Sequence, residues 1–530
     1  MLIARIGNGI MAQYTAETVG AKAANLARMA VLGLPVPPAF VLPIELCAAV
    51  VSGNKDARKK IAEGLVEGIE FLEQATGRRF GDRRNPFLVS VRSGAARSMP
   101  GMLNTVLDVG CAAAAVHGLV RMTGNPRFAW DCRRRFLESY GTVVLGVDPT
   151  LFAKRHAALA MDGGLDSEAL ERLAGDFEEL LEQVDGTLPD DPIDQLAGAA
   201  EAVYRSWMSE RACTYRKLQH MEDLQGTAVA VQAMVFGNRD GASGAGVAFS
   251  RDPSTGTAKP MIDFLVEAQG EDIVSGNRTP QTEEAIDRCA PRAAEKLRET
   301  LTRLEREFGD VQDVEFTVEN GELWVLQTRS AKRTPLATLR FAVDFVKERL
   351  ITRQEALQRL DGLNLDGLAR QRLVTRDKPV ANGTGASAGV AVGRAAFGLE
   401  QAQRLASRGD PVILMRPDIS TADIGGFVIS SGILTAVGGR TAHAALVARQ
   451  MGKPCVVGCA ALAFEPHGGA CLAGHAVKAD DWVSIDGESG LVFLGRHDII
   501  TERPDKEIAE IKLWRGLSLD TAVLTALTTS

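Results

Sequence analysis

The stretch GGRTAHAA, residues 438–445, sets a histidine among small residues where a glycine turn becomes a helix. Leu446, Val447 and Met451 follow at helical spacing, and Thr441 stands where an N-cap hydroxyl would. A helix that starts here points unpaired backbone N–H groups and its positive dipole end outward, which favours a phosphate beside His443. A neutral imidazole keeps a free lone pair near pH 7, so His443 is able to attack phosphorus without a strong base to activate it. The octet reads as a phosphoryl carrier; the competing reading is a helix-capping histidine that only packs.

Around this octet, residues 383–495 form short apolar runs broken by many glycines, with room for one or two helices, so a domain boundary is expected near 377–385. Residues 335–375 read as helices that tether, and the chain from about 501 as an amphipathic tail. A largely helical region spans 125–216 and breaks at PDDP, residues 189–192. Nearer the N-terminus a helix carrying Lys22 is expected over 18–30, stopped by Gly33 and Pro35. An apolar strand at 87–91 delivers Arg92 into a Ser-Gly turn, where a charge calls for a partner such as phosphate.

Two hairpins are expected downstream. The first pairs 227–236 with 247–250 across a glycine-rich tip, where Ser243, Gly244 and Gly246 are placed to lay backbone N–H groups over a polyphosphate; a plain flexible turn looks the same. The second spans 311–329 and turns at Asn320-Gly321. In QDVEFTV, Asp313 and Glu315 are two apart on a strand and share one face, a pattern suited to Mg²⁺ that is also held by nucleotide phosphates, or to a merely solvated strand face. The partner strand LWVLQTR offers Gln327 and Arg329. A two-residue turn pairs Gln327 with Val314 and points it away from the carboxylates, whereas a three-residue loop pairs it with Asp313, so a shared site predicts the longer loop.

Size and composition bound these readings. At 530 residues two to four domains are expected, and 45% hydrophobic with 24% charged residues is the balance of an ordinary globular protein. Sixty Lys and Arg against 67 Asp and Glu give a net charge of −7 without a basic block, which disfavours nucleic acid and acidic membrane partners. The eight cysteines form no C-x-x-C pair and no metal-ligand spacing, so they read as reduced, mostly buried thiols. The opening MLIARIGNGIMAQY has no continuous apolar core, and a cytoplasmic location is expected.

Taken in order, the runs GAKAANLARMAVLGLPVPPAF, VSVRSGAARSMPGM, AVQAMVFGN with SGAGVAFSRDP, EAQGEDIVSGNRTPQ, QDVEF, LQTRSAKRT and GGRTAHAALVARQMGKPCVVG resemble the pyruvate phosphate dikinase family across nearly the whole chain. The resemblance implies an α/β and α+β multidomain fold. An ATP-grasp nucleotide-binding region (1–124 and 226–334) would carry a helical subdomain (125–225), followed by a helical linker (335–380), a swivelling β/β/α phosphohistidine domain (381–500) and a tail (501–530). It implies ATP and Mg²⁺ bound by Lys22, Arg92, Asp313, Glu315 and Gln327, with Arg329 near the phosphates. His443 would be the phosphorylated residue and Thr441 a regulatory position, as in plant relatives.

By the same resemblance His443 takes the β-phosphoryl of ATP and releases AMP, inorganic phosphate removes the outer phosphate as pyrophosphate, and pyruvate accepts the rest. A homodimer is among the assemblies it allows. The family's acceptor site lies on a C-terminal barrel of about 250 residues. The chain runs only to Ser530, so a separate phosphoenolpyruvate/pyruvate-binding protein is expected. The family usually has arginine where Ala96 stands, aspartate at Asn104, and methionine and serine at Arg440 and Ala442; Arg440 resembles phosphoenolpyruvate synthase.

Two other readings stand beside this one. A phosphotransferase of the rifampicin phosphotransferase kind would carry an acceptor-binding region, for which 335–378 is too short. A scaffold that binds nucleotide without chemistry would have lost the histidine, lysine or carboxylates, and all are present.

Overall fold

Five short strands make the first sheet, in the order Ala4–Ile6, Ala39–Leu42, Ala228–Ala233, Val89–Gly94 and Thr105–Val109, antiparallel throughout. The helix Lys55–Thr76 packs on Ala39–Leu42 through Ile61, Leu65, Ile69 and Leu72, buried at helical spacing. Asn54 caps it by accepting from the N–H groups of Asp56 and Ala57, and Gly77 ends it at φ 67°. Gly68 lets this helix close on Phe40, because a Cβ there would lie 2.5 Å from the ring. The helices Pro126–Val143, Ser167–Gln183 and Pro192–Arg205, capped by Asn125, Asp166 and Asp191, complete the same hydrophobic core.

The computed structural model describes all residues except 1, 8, 98, 100, 101, 161–164, 185–187, 275–282, 369, 419–423, 441, 442, 466–468, 529 and 530. The chain is a mixed α/β multidomain protein and divides into two units. One is Met1–Ser243 with Thr317–Thr328, the other Gly244–Phe316 with Arg329–Ser530.

A four-stranded sheet has the order Glu322–Ser330, Gln312–Glu319, Gly244–Phe249 and Met261–Val266. The hairpin expected over 227–250 does not form. Ala228–Ala233 belongs to the first sheet between Ala39–Leu42 and Val89–Gly94, whereas Gly244–Phe249 pairs antiparallel with Met261–Val266. The hairpin at 320–321 does form, with both central residues left-handed, Asn320 at φ 50° and Gly321 at φ 79°. That is the two-residue turn whose twist matches the strands, not the expected three-residue loop.

Residues beyond 380 build an eight-stranded sheet in the order Ala381–Asn382, Leu491–Leu494, Trp482–Asp486, Val390–Ala396, Val412–Arg416, Gly432–Thr435, Cys455–Val457 and Thr384–Ser387. Val390–Ala396, Val412–Arg416, Gly432–Thr435 and Cys455–Val457 run parallel to one another, and the other pairings are antiparallel. The segments entering and leaving this sheet, Arg370–Val374 and Asp498–Glu502, pair antiparallel. Pro335–Lys347 and Arg353–Arg359 share a core with Ile508, Ile511 and Trp514 of the helix Asp505–Thr528. Among the described residues no helix is long and apolar enough to cross a membrane.

Candidate functional site

The helix expected over 18–30 is broken at Gly20, which stands at φ 83° between Ala16–Val19 and Ala21–Val31. Any Cβ at this position would lie 2.3 Å from the carbonyl oxygen of Gly94, so only glycine permits the approach. The Ala21 N–H then donates to the Ala95 carbonyl at 2.9 Å, seating the start of Ala21–Val31, with Lys22 as its second residue, at the end of strand Val89–Gly94. Arg92 lies inside that strand, opposite Ala230 and Thr105, rather than in a turn after it. The fold thus gathers Lys22 and Arg92 at one strand end. The Nε of Arg92 is buried and has no hydrogen-bond partner among the described residues, as expected of a group built to meet an anion.

Ala96 sits two residues beyond that strand, and the neighbouring Arg97 is held elsewhere, on the Asp223 carboxylate and the His220 carbonyl. Gln327 is buried on Glu322–Ser330. Ser243 is buried too, and its hydroxyl is spent locally: it donates to Asp240 at 2.6 Å and accepts from the Asn320 N–H at 2.8 Å.

Gly244 and Gly246 are strand residues, not a hairpin tip, and tertiary packing accounts for them. A Cβ on Gly244 would lie 2.2 Å from the Phe264 ring, and one on Gly246 2.2 Å from the Phe316 ring. Glycine at both positions thus answers to close packing of the sheet.

Asp313 and Glu315 lie on Gln312–Glu319, whose other face buries Val314, Phe316 and Val318. The Nε of Arg329 donates to Asp313 Oδ2 at 2.8 Å, while Oδ1 is buried without a hydrogen-bond partner among the described residues. Burial pushes the Asp313 carboxyl above its ordinary range, and Arg329 opposes this. Burial pulls Arg329 down, but the Asp313 and Glu315 charges outweigh it and hold the guanidinium above its usual value. The orphaned oxygen and the adjacent Glu315 suit a hard divalent cation, for which carboxylate oxygens are the natural ligands.

His443 opens the helix His443–Gln450, and Thr441 lies outside the described residues. Small residues seat this helix. Ala445 and Ala448 are buried against Ala386, Cys455 and Val457, whereas Met451, expected on the apolar face, is 37% exposed. Two charged groups escaped the sequence reading. Asp263, buried in the strand Met261–Val266, accepts from the Arg440 N–H at 3.0 Å and faces the Arg440 guanidinium at 3.6 Å. Arg449, six residues after His443, is 1% exposed. Asp263 was legible as the lone charge in MIDFLV, but Arg449 looks like an ordinary helix-end arginine.

Comparison with known proteins joins these observations. Residues 57–289 and 284–349 match the pyruvate phosphate dikinase AMP/ATP-binding domain, and residues 409–490 match the mobile domain of PEP-utilising enzymes. The pyruvate, phosphate dikinase of Rhizobium meliloti is 41% identical over 524 residues, 95% of this chain and 58% of that protein. Those of Clostridium symbiosum and of Arabidopsis thaliana chloroplasts are each 40% identical, over 497 and 509 residues, covering 91% and 94% of this chain. The chain spans 57% and 53% of those two proteins. Matched across more than half its length by the nucleotide-binding domain, and again at the histidine-bearing domain, the chain belongs to the pyruvate phosphate dikinase family.

Proposed function

We propose that this chain carries out the ATP half-reaction of a pyruvate phosphate dikinase, loading His443. The imidazole nitrogen forms a bond to the β-phosphorus of ATP as the bond to the α-phosphate oxygen breaks, and AMP leaves. Inorganic phosphate then attacks the outer phosphorus of the pyrophosphorylated histidine and departs as pyrophosphate. The remaining phosphoryl passes to pyruvate. Relatives align with this chain as parts of single longer chains, so they give no support to a separate phosphoenolpyruvate/pyruvate-binding protein.

Lys22, Arg92 and Arg329 are assigned to the polyphosphate, and Gln327 to the nucleotide. The most direct support is Asp313, whose buried unpartnered oxygen fits a Mg²⁺ site. Asp313 and Glu315 would hold the ion, which supplies charge neutralisation at the phosphates when bound. The cationic side chains orient the chain of phosphates and offset charge that develops as the bridging bond breaks. The nucleotide-binding part is assigned an ATP-grasp architecture over 1–124 and 226–334, with 381–500 as the swivelling carrier.

The test is incubation with Mg²⁺ and ATP labelled at the β or the γ position, with and without phosphate, beside His443→Ala. Acid-labile β-label on the native chain alone, with AMP released, is expected. Absence of both label and AMP from the native chain would sink the proposal.

A further inference from the structure

Arg449 is one of the largest fully buried side chains among the described residues, and one of its contacts is to Arg440, three residues before His443. Its Nε donates to the Ala386 carbonyl at 2.7 Å, and its Nη2 donates to the Arg440 carbonyl. The guanidinium lies over the Phe249 ring, 5.3 Å from its centroid. Nη1 is buried with no hydrogen-bond partner among the described residues. The carboxylates that act on this cation are Asp313, Asp263 and Asp252, all from the strand and turn segments 244–316.

Burying a guanidinium this completely is costly unless its charge and donors are used. Two carbonyls use part of it, and both belong to the turn and the strand that hold the histidine helix. Arg440, whose carbonyl Arg449 grips, is also fastened at its N–H to Asp263 and at its Nε to the Gly385 carbonyl, 3.2 Å away. Arg440, three residues before His443, is therefore tied on one side by Arg449 and on the other by Asp263.

We propose that Arg449 is a positioning residue for phosphoryl transfer: its guanidinium pins Arg440, three residues before His443, beside the Asp263 carboxylate. This rests on the dikinase reading for its consequence in the reaction, but the pinning itself is independent of that reading. Arg449 reaches its two carbonyls from two different nitrogens of a rigid fork, Nε and Nη2, so lysine replaces the charge but not that geometry.

The test uses the full chain as Arg449→Met, Arg449→Lys and Phe249→Leu. Amide hydrogen exchange at the Arg440 N–H reads the pinning. Single-turnover labelling of His443 from β-labelled ATP reads its consequence, with equilibrium binding of a non-hydrolysable MgATP analogue and exchange in residues 39–72 as controls. In Arg449→Met, exchange at Arg440 should rise at least about tenfold and labelling fall on the order of 100-fold, with analogue affinity within about twofold, because a small misplacement of a reacting group costs this much. Arg449→Lys should recover part of both, and Phe249→Leu should lose the least.

Unchanged exchange at Arg440 in Arg449→Met overturns the proposal, as does a loss of labelling matched by an equal loss of analogue binding. A native chain that takes no label defeats the dikinase reading alone, since exchange at Arg440 still decides the role of Arg449.

Discussion

Arg329 satisfies only half of Asp313: its Nε reaches Oδ2 at 2.8 Å and leaves the buried Oδ1 without a hydrogen-bond partner among the described residues. A carboxylate held this way is expensive in the ligand-free protein, and the expense depends on pH. Burial raises its folded pKa, with Arg329 opposing. An acid so raised contributes stability that is complete below its unfolded pKa, about 4, and is lost as pH climbs through the folded value. Asp313→Asn removes that loss. Without Mg²⁺ or nucleotide, the stability of the variant relative to the native chain should increase from about pH 4 to neutrality. Urea midpoints across that range measure it, and a difference that stays flat or falls with pH refutes the assignment.

Ligand should reverse the ranking. MgATP at a hundred times its dissociation constant stabilises a protein by about 2.7 kcal/mol if it binds only the folded form. The native chain should gain on this scale in thermal melting, and Asp313→Asn and Glu315→Gln should gain little. Arg92→Lys should lose at least tenfold in nucleotide affinity, since the ammonium cannot reproduce the guanidinium fork. Equal MgATP gains in the native and carboxamide chains would remove both carboxylates from the site.

How far sequence carried this reading depends on what each residue answers to. Alternation in QDVEFTV answers to the strand itself, so the shared face of Asp313 and Glu315 and the turn at Asn320-Gly321 were legible. Gly244 and Gly246 answer to Phe264 and Phe316, which approach from elsewhere in the chain, and local spacing cannot separate that from a flexible tip. The break at Gly20 has the same origin, because it is the carbonyl of Gly94 that excludes a side chain. Arg449 was missed because helical spacing places it at a helix end, where arginine is ordinarily solvated and favourable; only tertiary contacts reveal it as buried.

The two kinds of glycine should separate by experiment. Gly246→Ala forces a methyl to within 2.2 Å of the Phe316 ring and 2.8 Å of the Asp263 carbonyl, and overpacking of this kind costs about 1–3 kcal/mol. Gly321→Ala meets nothing within 4 Å and suffers only from its φ of 79°, a cost of about 1 kcal/mol. Denaturation midpoints of the two variants decide it. Equal shifts, or a larger one at Gly321, would show that the ring contact at Gly246 is not tight.

Arg251 offers the sharpest stability test, because its partners differ in burial. The guanidinium binds Glu305 through Nε at 3.0 Å and Nη2 at 2.7 Å, binds Glu348 through Nη1 at 2.9 Å, and lies 4.6 Å from the Phe345 ring centroid. The Glu305 side chain is 10% exposed, whereas that of Glu348 is 43% exposed and screened by water, so the Glu305 pair governs. Among the described residues Arg251→Met leaves Glu305 with the Ser250 hydroxyl alone, 2.7 Å away, and breaking a buried pair in this way costs about 3–5 kcal/mol. Arg251→Met with Glu305→Leu removes both charges and should recover most of that loss, since the apolar replacements fill the space without a stranded charge. A single-variant loss below about 1 kcal/mol, or a double variant no better than the single, would mean that solvent reaches Glu305 and that the pair contributes little.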